Sequence, residues 1–276
     1  MAAPQRSQTT ASPAGAGSVD RCGDAATTGF GVDPGSGMRR IIAELNLCPG
    51  PPTIVPPPHN EPMDHAAARE QMVEQQIAAR GVSDLRVLAA MRAVPRHCFV
   101  PAAHQSEAYA DRPLPIAEGQ TISQPYIVAV MTAALEVNPA DRVLEVGTGS
   151  GYQAAVLAQL SAQVVSVERH AALATEAARR LRDLGIDHVT VVVGDGSEGW
   201  PAGAPYDRIL VTAGAPEIPD TLVDQLAAGG RLVIPVGPAG LQHLTIVERV
   251  DGGTRVREAD ACVFVPLIGR HGWADR

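Results

Sequence analysis

From Asp141 the chain alternates between short apolar runs and helix-like runs: RVLEV, a glycine-rich turn, YQAAVLAQLS, QVVSVE, AALATEAARRLRDLG, VTVVVGD, YDRILVTAG, PDTLVDQLAAGG and RLVIPVG. Continuous apolar strands alternating with helices specify a parallel sheet covered on both faces. The expected fold is therefore α/β, a doubly wound, mostly parallel Rossmann-like sheet. The closing runs HLTIVERVDGG and TRVREADACVFVPL read as a pair of antiparallel strands.

Three helices precede this region. DHAAAREQMVEQQIAARG carries Asp64 as N-cap and Gly81 as stop, SDLRVLAAMRAVP ends at Pro95, and PYIVAVMTAALEV has proline in its first turn. Between the last two lie some thirty irregular residues, a length that usually signals function. Residues 1–62 are rich in Ala, Gly, Ser, Thr and Pro and carry too little apolar surface to offset the entropy of ordering. They are expected to be a disordered tail ending in a proline-rich linker at 49–62, with RRIIAELNL as one short helical candidate. The folded domain is expected to span 63–276, with Met63 also open as the biological start.

Composition excludes several classes. All 22 basic residues are arginine and the formal charge is -8, which argues against a broad phosphate-binding surface and hence against a nucleic-acid partner. The four cysteines show no C-x-x-C pair, and the histidines have no i, i+3 or i, i+4 pairing, so no metal site is expected. Free thiols fit a reducing cytosol. No apolar run reaches the roughly 18 residues needed to span a bilayer, so a cytoplasmic protein without membrane contacts, acting as a monomer, is expected.

VLEVGTGSGYQ places Gly147, Gly149 and Gly151 between a buried strand and a helix. Glycine lets the backbone turn tightly there and lets a ligand approach the main chain. The dinucleotide fingerprint needs a glycine at position 152, where Tyr152 stands. Glu168 ends the second strand and Asp195 the third, with Gly196 beside it. Each carboxylate reads either as a helix cap or solvated charge, or as a ligand contact. Three successive strand ends with suitable groups favour a ligand, since open parallel sheets bind ligands at the carboxyl ends of their strands.

GQTISQP, Gly119–Pro125, leaves two readings for Ser123: an N-cap for the helix that follows, or a hydroxyl facing a substrate over the first strand. Taken with AYADRPLPIAEGQTISQPYIVAVM, E-x-G-x-G-x-G from Glu145 to Gly151, VVSVERH, GDGSEGWP, YDRILVTAGAPEIP and FVPL, it closely resembles the protein-L-isoaspartate O-methyltransferases. The resemblance covers nearly all of the chain after the tail. GQTISQP with VTAGAPEIP is specific to that family, whereas the glycine motif is common to many methyltransferases that use S-adenosyl-L-methionine.

The resemblance implies a Rossmann-like class I methyltransferase using S-adenosyl-L-methionine and releasing S-adenosyl-L-homocysteine. It implies that Glu145, Gly147, Thr148, Gly149, Ser150, Gly151, Glu168, Asp195 and Gly196 surround that cofactor. Ser123 is implied as the active-site residue, with Thr121, Ile122 and Thr212 also meeting the substrate. That substrate is an L-isoaspartyl, or more weakly a D-aspartyl, residue in an aged peptide or protein. Ala117 departs from the glycine usual after PI in the family.

The implied chemistry needs no general base, because an α-carboxylate with a pKa of about 3.5 is already ionised at neutral pH. Holding the reacting atoms in line with water excluded is sufficient, and a methyl ester then closes more readily to a succinimide. Two rivals stand beside this reading: a methyltransferase for a small molecule or RNA, and a catalytically silent cofactor-binding regulator that docks through the proline-rich tail.

Overall fold

The computed structural model describes residues 64–275. The expectations for residues 1–62 and for Met63 lie outside the described residues. Helix α1 (His65–Gln71) begins at Asp64, whose carboxylate accepts from the N–H groups of Ala66 and Ala67. Its helical path continues through a π-helical stretch, Met72–Ile77, and a 3-10 turn, and stops at the left-handed Gly81. Helix α2 (Leu85–Ala93) is capped by Asp84.

The irregular segment that follows contains a miniature hairpin, β1 (Leu114–Pro115) and β2 (Thr121–Ile122), whose pairs are Leu114 with Ile122 and Pro115 with Thr121. Helix α3 (Pro125–Leu135) starts two residues after Ser123. Then come β3 (Arg142–Val146), α4 (Tyr152–Ala158), β4 (Gln163–Glu168), α5 (Ala171–Asp183), β5 (Val189–Val193), β6 (Tyr206–Val211), α6 (Asp220–Asp224), β7 (Leu226–Val236), β8 (Gln242–Val250) and β9 (Gly253–Cys262).

The seven long strands form one sheet in the order β5-β4-β3-β6-β7-β8-β9. β3 to β7 run parallel, and β8 and β9 are antiparallel, as the pattern predicts. Successive strand residues feed two cores. Val143, Val164, Leu210 and Val233 join the cluster built with α2, α3 and α4. Leu144, Val165, Ile209 and Leu232 join the cluster beneath α6 and Leu267. This period of two explains why the strands read as continuous apolar runs: both of their faces are buried.

Two boundaries differ from expectation. The helix over 219–230 shrinks to five residues, because the Ala-Ala-Gly-Gly run goes into an irregularity of β7 instead. Leu226 pairs with Tyr206, pairing resumes only at Arg231 opposite Arg208, and Gly229 has φ 72°. The last strand ends at Cys262, and Phe264–Leu267 cross to β6's extension, where Gly214 bridges Pro266. The Phe264 N–H donates to the Gln242 side chain (3.0 Å) and not to a β8 carbonyl, so the ladder with β8 stops there.

The strand order turns back between β3 and β6, which each have the other as a neighbour at the carboxyl edge. At that switch point Thr212 just past β6 donates its hydroxyl to the carbonyls of Val146 (3.0 Å) and Gly147 (2.7 Å). The ends of the two strands are thereby locked together at the switch point, where open parallel sheets receive ligands.

Candidate active site

A cavity opens at this switch point. Its floor is the turn after β3, one wall is the β2 to α3 segment, and the other is the chain from Phe264 to Ile268. Of the residues singled out in the sequence, it brings together Thr121, Ile122, Ser123, Gly147, Thr148, Gly149, Ser150, Glu168, Gly196 and Thr212. Gly151, Glu145 and Asp195 do not line it.

The floor is shaped by glycine. Gly147 has φ 95° and Gly151 φ 90°, and Gly151 caps α4. A Cβ on Gly147 would run into Thr212 Oγ1, and one on Gly151 would lie 3.2 Å from the Ala177 methyl of α5. Gly151 therefore sets how closely α4 and α5 approach, while Gly147 leaves room for the lock to β6. At Gly196 a Cβ would sit 2.5 Å from Val146 Cγ1, so that residue too is needed for close packing under the cavity.

Glu145 lies beneath the floor, fully buried on β3. The Ser166 hydroxyl on β4 hydrogen-bonds its Oε2 and is itself hydrogen-bonded to the Thr148 hydroxyl (2.5 Å). The chain Thr148–Ser166–Glu145 ties the glycine turn to the sheet. The other oxygen, Oε1, has no partner among the described residues. Burial pushes the Glu145 carboxyl up to about 8; the Ser166 hydrogen bond opposes this and the nearby Glu168 charge reinforces it.

Glu168 faces the cavity. One oxygen accepts from the N–H of Gly149 (2.8 Å) and the other from the N–H of His170 (2.9 Å), so each retains acceptor capacity for a further donor. Asp195 turns away: its Oδ1 accepts from the N–H and hydroxyl of Ser197, and its Oδ2 from the N–H of Arg270 (2.7 Å). Burial alone would raise the Asp195 carboxyl, but the Ser197 hydroxyl and the N–H groups of Arg270 and Ser197, with His271, hold it below the ordinary value.

Ser123 does not cap α3. Gln124 holds that position, makes no capping bond, and donates its side-chain amide to the carbonyl and carboxylate of Asp111 (3.1 and 2.8 Å). The Ser123 hydroxyl has no hydrogen-bond partner among the described residues and lies on the cavity wall. Ile122 beside it is buried and Thr121 is exposed.

Several lining residues were not anticipated. His170 stands two positions past Glu168, where a strand-end pattern offered a signal, and its Nδ1 is 3.7 Å from Glu118 of the hairpin. Phe264 to Ile268 form the far wall, although the sequence through Leu267 reads as strand. Trp273 near the end of the chain is held in place: its indole N–H donates to the Gly214 carbonyl at 3.0 Å. His97 and Cys98 pack away from the site, His97 stacking on His65 with ring centroids 3.9 Å apart. Among the described residues, no group of three or more metal-ligating side chains converges.

A doubly wound sheet with a glycine turn and an acidic strand end at its switch point defines a Rossmann-like methyltransferase fold. The family described as protein-L-isoaspartate(D-aspartate) O-methyltransferase matches residues 67–272. A protein-L-isoaspartate O-methyltransferase of Methanoculleus marisnigri is 59% identical over 205 residues, covering 74% of this chain and 93% of its own. One from Methanoregula boonei is 53% identical over 212 residues, covering 77% and 98%.

Among solved structures, a protein-L-isoaspartate O-methyltransferase superposes with a TM-score of 0.68 at 32% identity, covering 74% of this chain and 67% of that one. A putative Plasmodium falciparum enzyme of the same name, in complex with S-adenosyl-L-homocysteine, gives 0.64 at 26% identity, covering 72% and 98%. The chain belongs to the protein-L-isoaspartate(D-aspartate) O-methyltransferase family.

Proposed function

We propose that this cavity transfers a methyl group from S-adenosyl-L-methionine to the free carboxylate of L-isoaspartyl residues, and more weakly D-aspartyl residues, in damaged peptides and proteins. The observation that carries the proposal is that the unpartnered Ser123 hydroxyl and the glycine turn face one cavity at the sheet's switch point. The lining suits the cofactor. Gly147 and Gly196 keep side chains out of the floor, Val146, Val167 and Leu267 offer apolar contact, and Glu168 supplies one carboxylate with acceptor capacity for a diol.

When bound, the cofactor supplies an electrophilic methyl group on a cationic sulfur. Glu168 accepts from ribose hydroxyls, and its charge attracts a cation. Gly149 and Thr148 present the main chain to the ligand, while Glu145 acts from below by fixing Thr148 through Ser166. Thr212 acts through Gly147, because its single proton already serves two carbonyls.

Ser123 donates to one oxygen of the substrate carboxylate and leaves the other free to attack. Ile122 and Phe264 exclude water on either side, and exposed Thr121 meets the peptide at the mouth. No proton need be removed before the attack, so the reaction asks no general base of the lining residues. We further read the protein as a monomeric cytoplasmic enzyme with no nucleic-acid partner; the net charge of -8 supports the last of these. Among the described residues, no helix is long and apolar enough to cross a membrane.

Ser123→Ala tests the site. A hydrogen bond to a charged group contributes about 1.5–3 kcal/mol, so turnover should fall roughly 10- to 100-fold. Affinity for S-adenosyl-L-homocysteine, measured by calorimetry, should stay within about twofold. Equal losses in both quantities would move Ser123 out of the substrate site and into the support of α3.

A further inference from the structure

The last described residues form a closed turn whose construction is specific. Trp273 N–H donates to the Leu267 carbonyl at 2.7 Å, Gly269 N–H donates to the Trp273 carbonyl at 3.1 Å, and Ile268 bridges Trp273. The turn is fastened to the sheet edge at three places. Gly214 beyond β6 accepts from both Leu267 N–H (2.8 Å) and the Trp273 indole (3.0 Å). Asp195 and Ser197, beyond β5, accept from the N–H groups of Arg270 (2.7 Å) and His271 (2.9 Å). Arg169, beyond β4, pairs with Asp275 at 2.6 Å.

The two glycines of I-G-R-H-G-W are there because of close approach. A Cβ on Gly269 would collide with Asp195 Oδ1, and one on Gly272 would collide with the Leu267 carbonyl. The turn thus packs backbone to carboxylate and backbone to backbone with no room for a side chain. Leu267 and Ile268 line the cavity, whereas Trp273 does not.

We propose that Leu267–Trp273 is a strap that sets affinity for the cofactor, with Trp273 a positioning residue that holds Leu267 and Ile268 against it. This rests on the reading of the cavity as the cofactor site. The strap joins the end of β6 to the end of β5, with Asp275 just past it tied to Arg169 beyond β4, and it contributes Leu267 and Ile268 to the cavity wall. Its influence falls on ligand retention and leaves the reacting carboxylate alone. Asp195, expected from the sequence to face the ligand, serves here as the strap's anchor.

The test measures binding of S-adenosyl-L-homocysteine by calorimetry, together with turnover at saturating cofactor, in the full chain and in Trp273→Phe and Trp273→Ala. Phenylalanine keeps the ring and loses the indole N–H; its dissociation constant should rise about fivefold, by the worth of one hydrogen bond. Alanine also loses the packing and should raise it by about tenfold or more. In both variants turnover at saturation should stay within about twofold.

Wild-type affinity in the alanine variant, or losses of turnover and binding that track one another, would overturn the strap. If Trp273→Ala does not fold, the phenylalanine variant decides alone. A wild-type chain that fails to bind S-adenosyl-L-homocysteine would overturn the reading of the cavity, and the strap with it.

Discussion

Gly147→Val is expected to abolish methyl transfer and to lower the melting temperature by roughly 5–10 °C. Three costs combine. A β-branched residue at φ 95° is a steric outlier. Its Cβ would occupy the place of Thr212 Oγ1, breaking two hydrogen bonds of about 1 kcal/mol each. Its methyl groups would fill the floor of the cavity. Thermal unfolding and methyl-transfer assays on the same preparation check this outcome. Thr212→Ala in the Gly147→Val background should recover part of the stability, because it removes the colliding atom, but none of the activity. Retained activity in the single variant would mean that the turn is not the cofactor floor.

The second large effect is a pH dependence of stability that originates at Glu145. Its folded pKa, pushed up to about 8 by burial, lies above the ordinary glutamate value of 4.5. The folded state therefore binds the extra proton between those values, and stability falls as pH rises through that window. The contribution is fully present below pH 4.5, is lost progressively toward pH 8, and is constant beyond. The slope approaches about 1.4 kcal/mol per pH unit inside the window. Glu145→Gln keeps the shape and an acceptor for Ser166 and removes the titration. Urea denaturation of both proteins at several pH values should give curves that diverge between pH 4.5 and 8, with the variant flatter. Parallel curves would mean that Glu145 is ionised in the fold.

Much of this site could be read from residue types because local chemistry fixes them. Asp64 before an amphipathic run is a helix start, and Val-Leu-Glu-Val before Gly-x-Gly-x-Gly is a buried strand meeting a tight turn. The parallel register that brings Gly147 to Thr212 follows from the alternation of strands and helices, although no local pattern links two residues 65 positions apart. Ser123 reads in sequence as either cap or substrate group, and the fold gives the capping position to Gln124, whose amide turns to Asp111.

What stayed hidden depends on long-range pairing. The strap around Trp273 is held by acceptors on Gly214, Asp195 and Ser197 that lie far away in sequence. A glycine whose purpose is to let Asp195 approach looks no different in sequence from one that ends a helix. The shortening of α6 has the same origin: Ala-Ala-Gly-Gly suits a helix end locally, but pairing of Leu226 with Tyr206 draws it into β7.

The most direct measurement is methyl transfer from labelled S-adenosyl-L-methionine to two peptides that differ only in one residue, L-isoaspartate in one and L-aspartate in the other. Base-labile label on the isoaspartyl peptide, with none on its partner, is the predicted result. Label on both or on neither, with S-adenosyl-L-homocysteine still bound, would contradict the account of Ser123 and the cavity it faces.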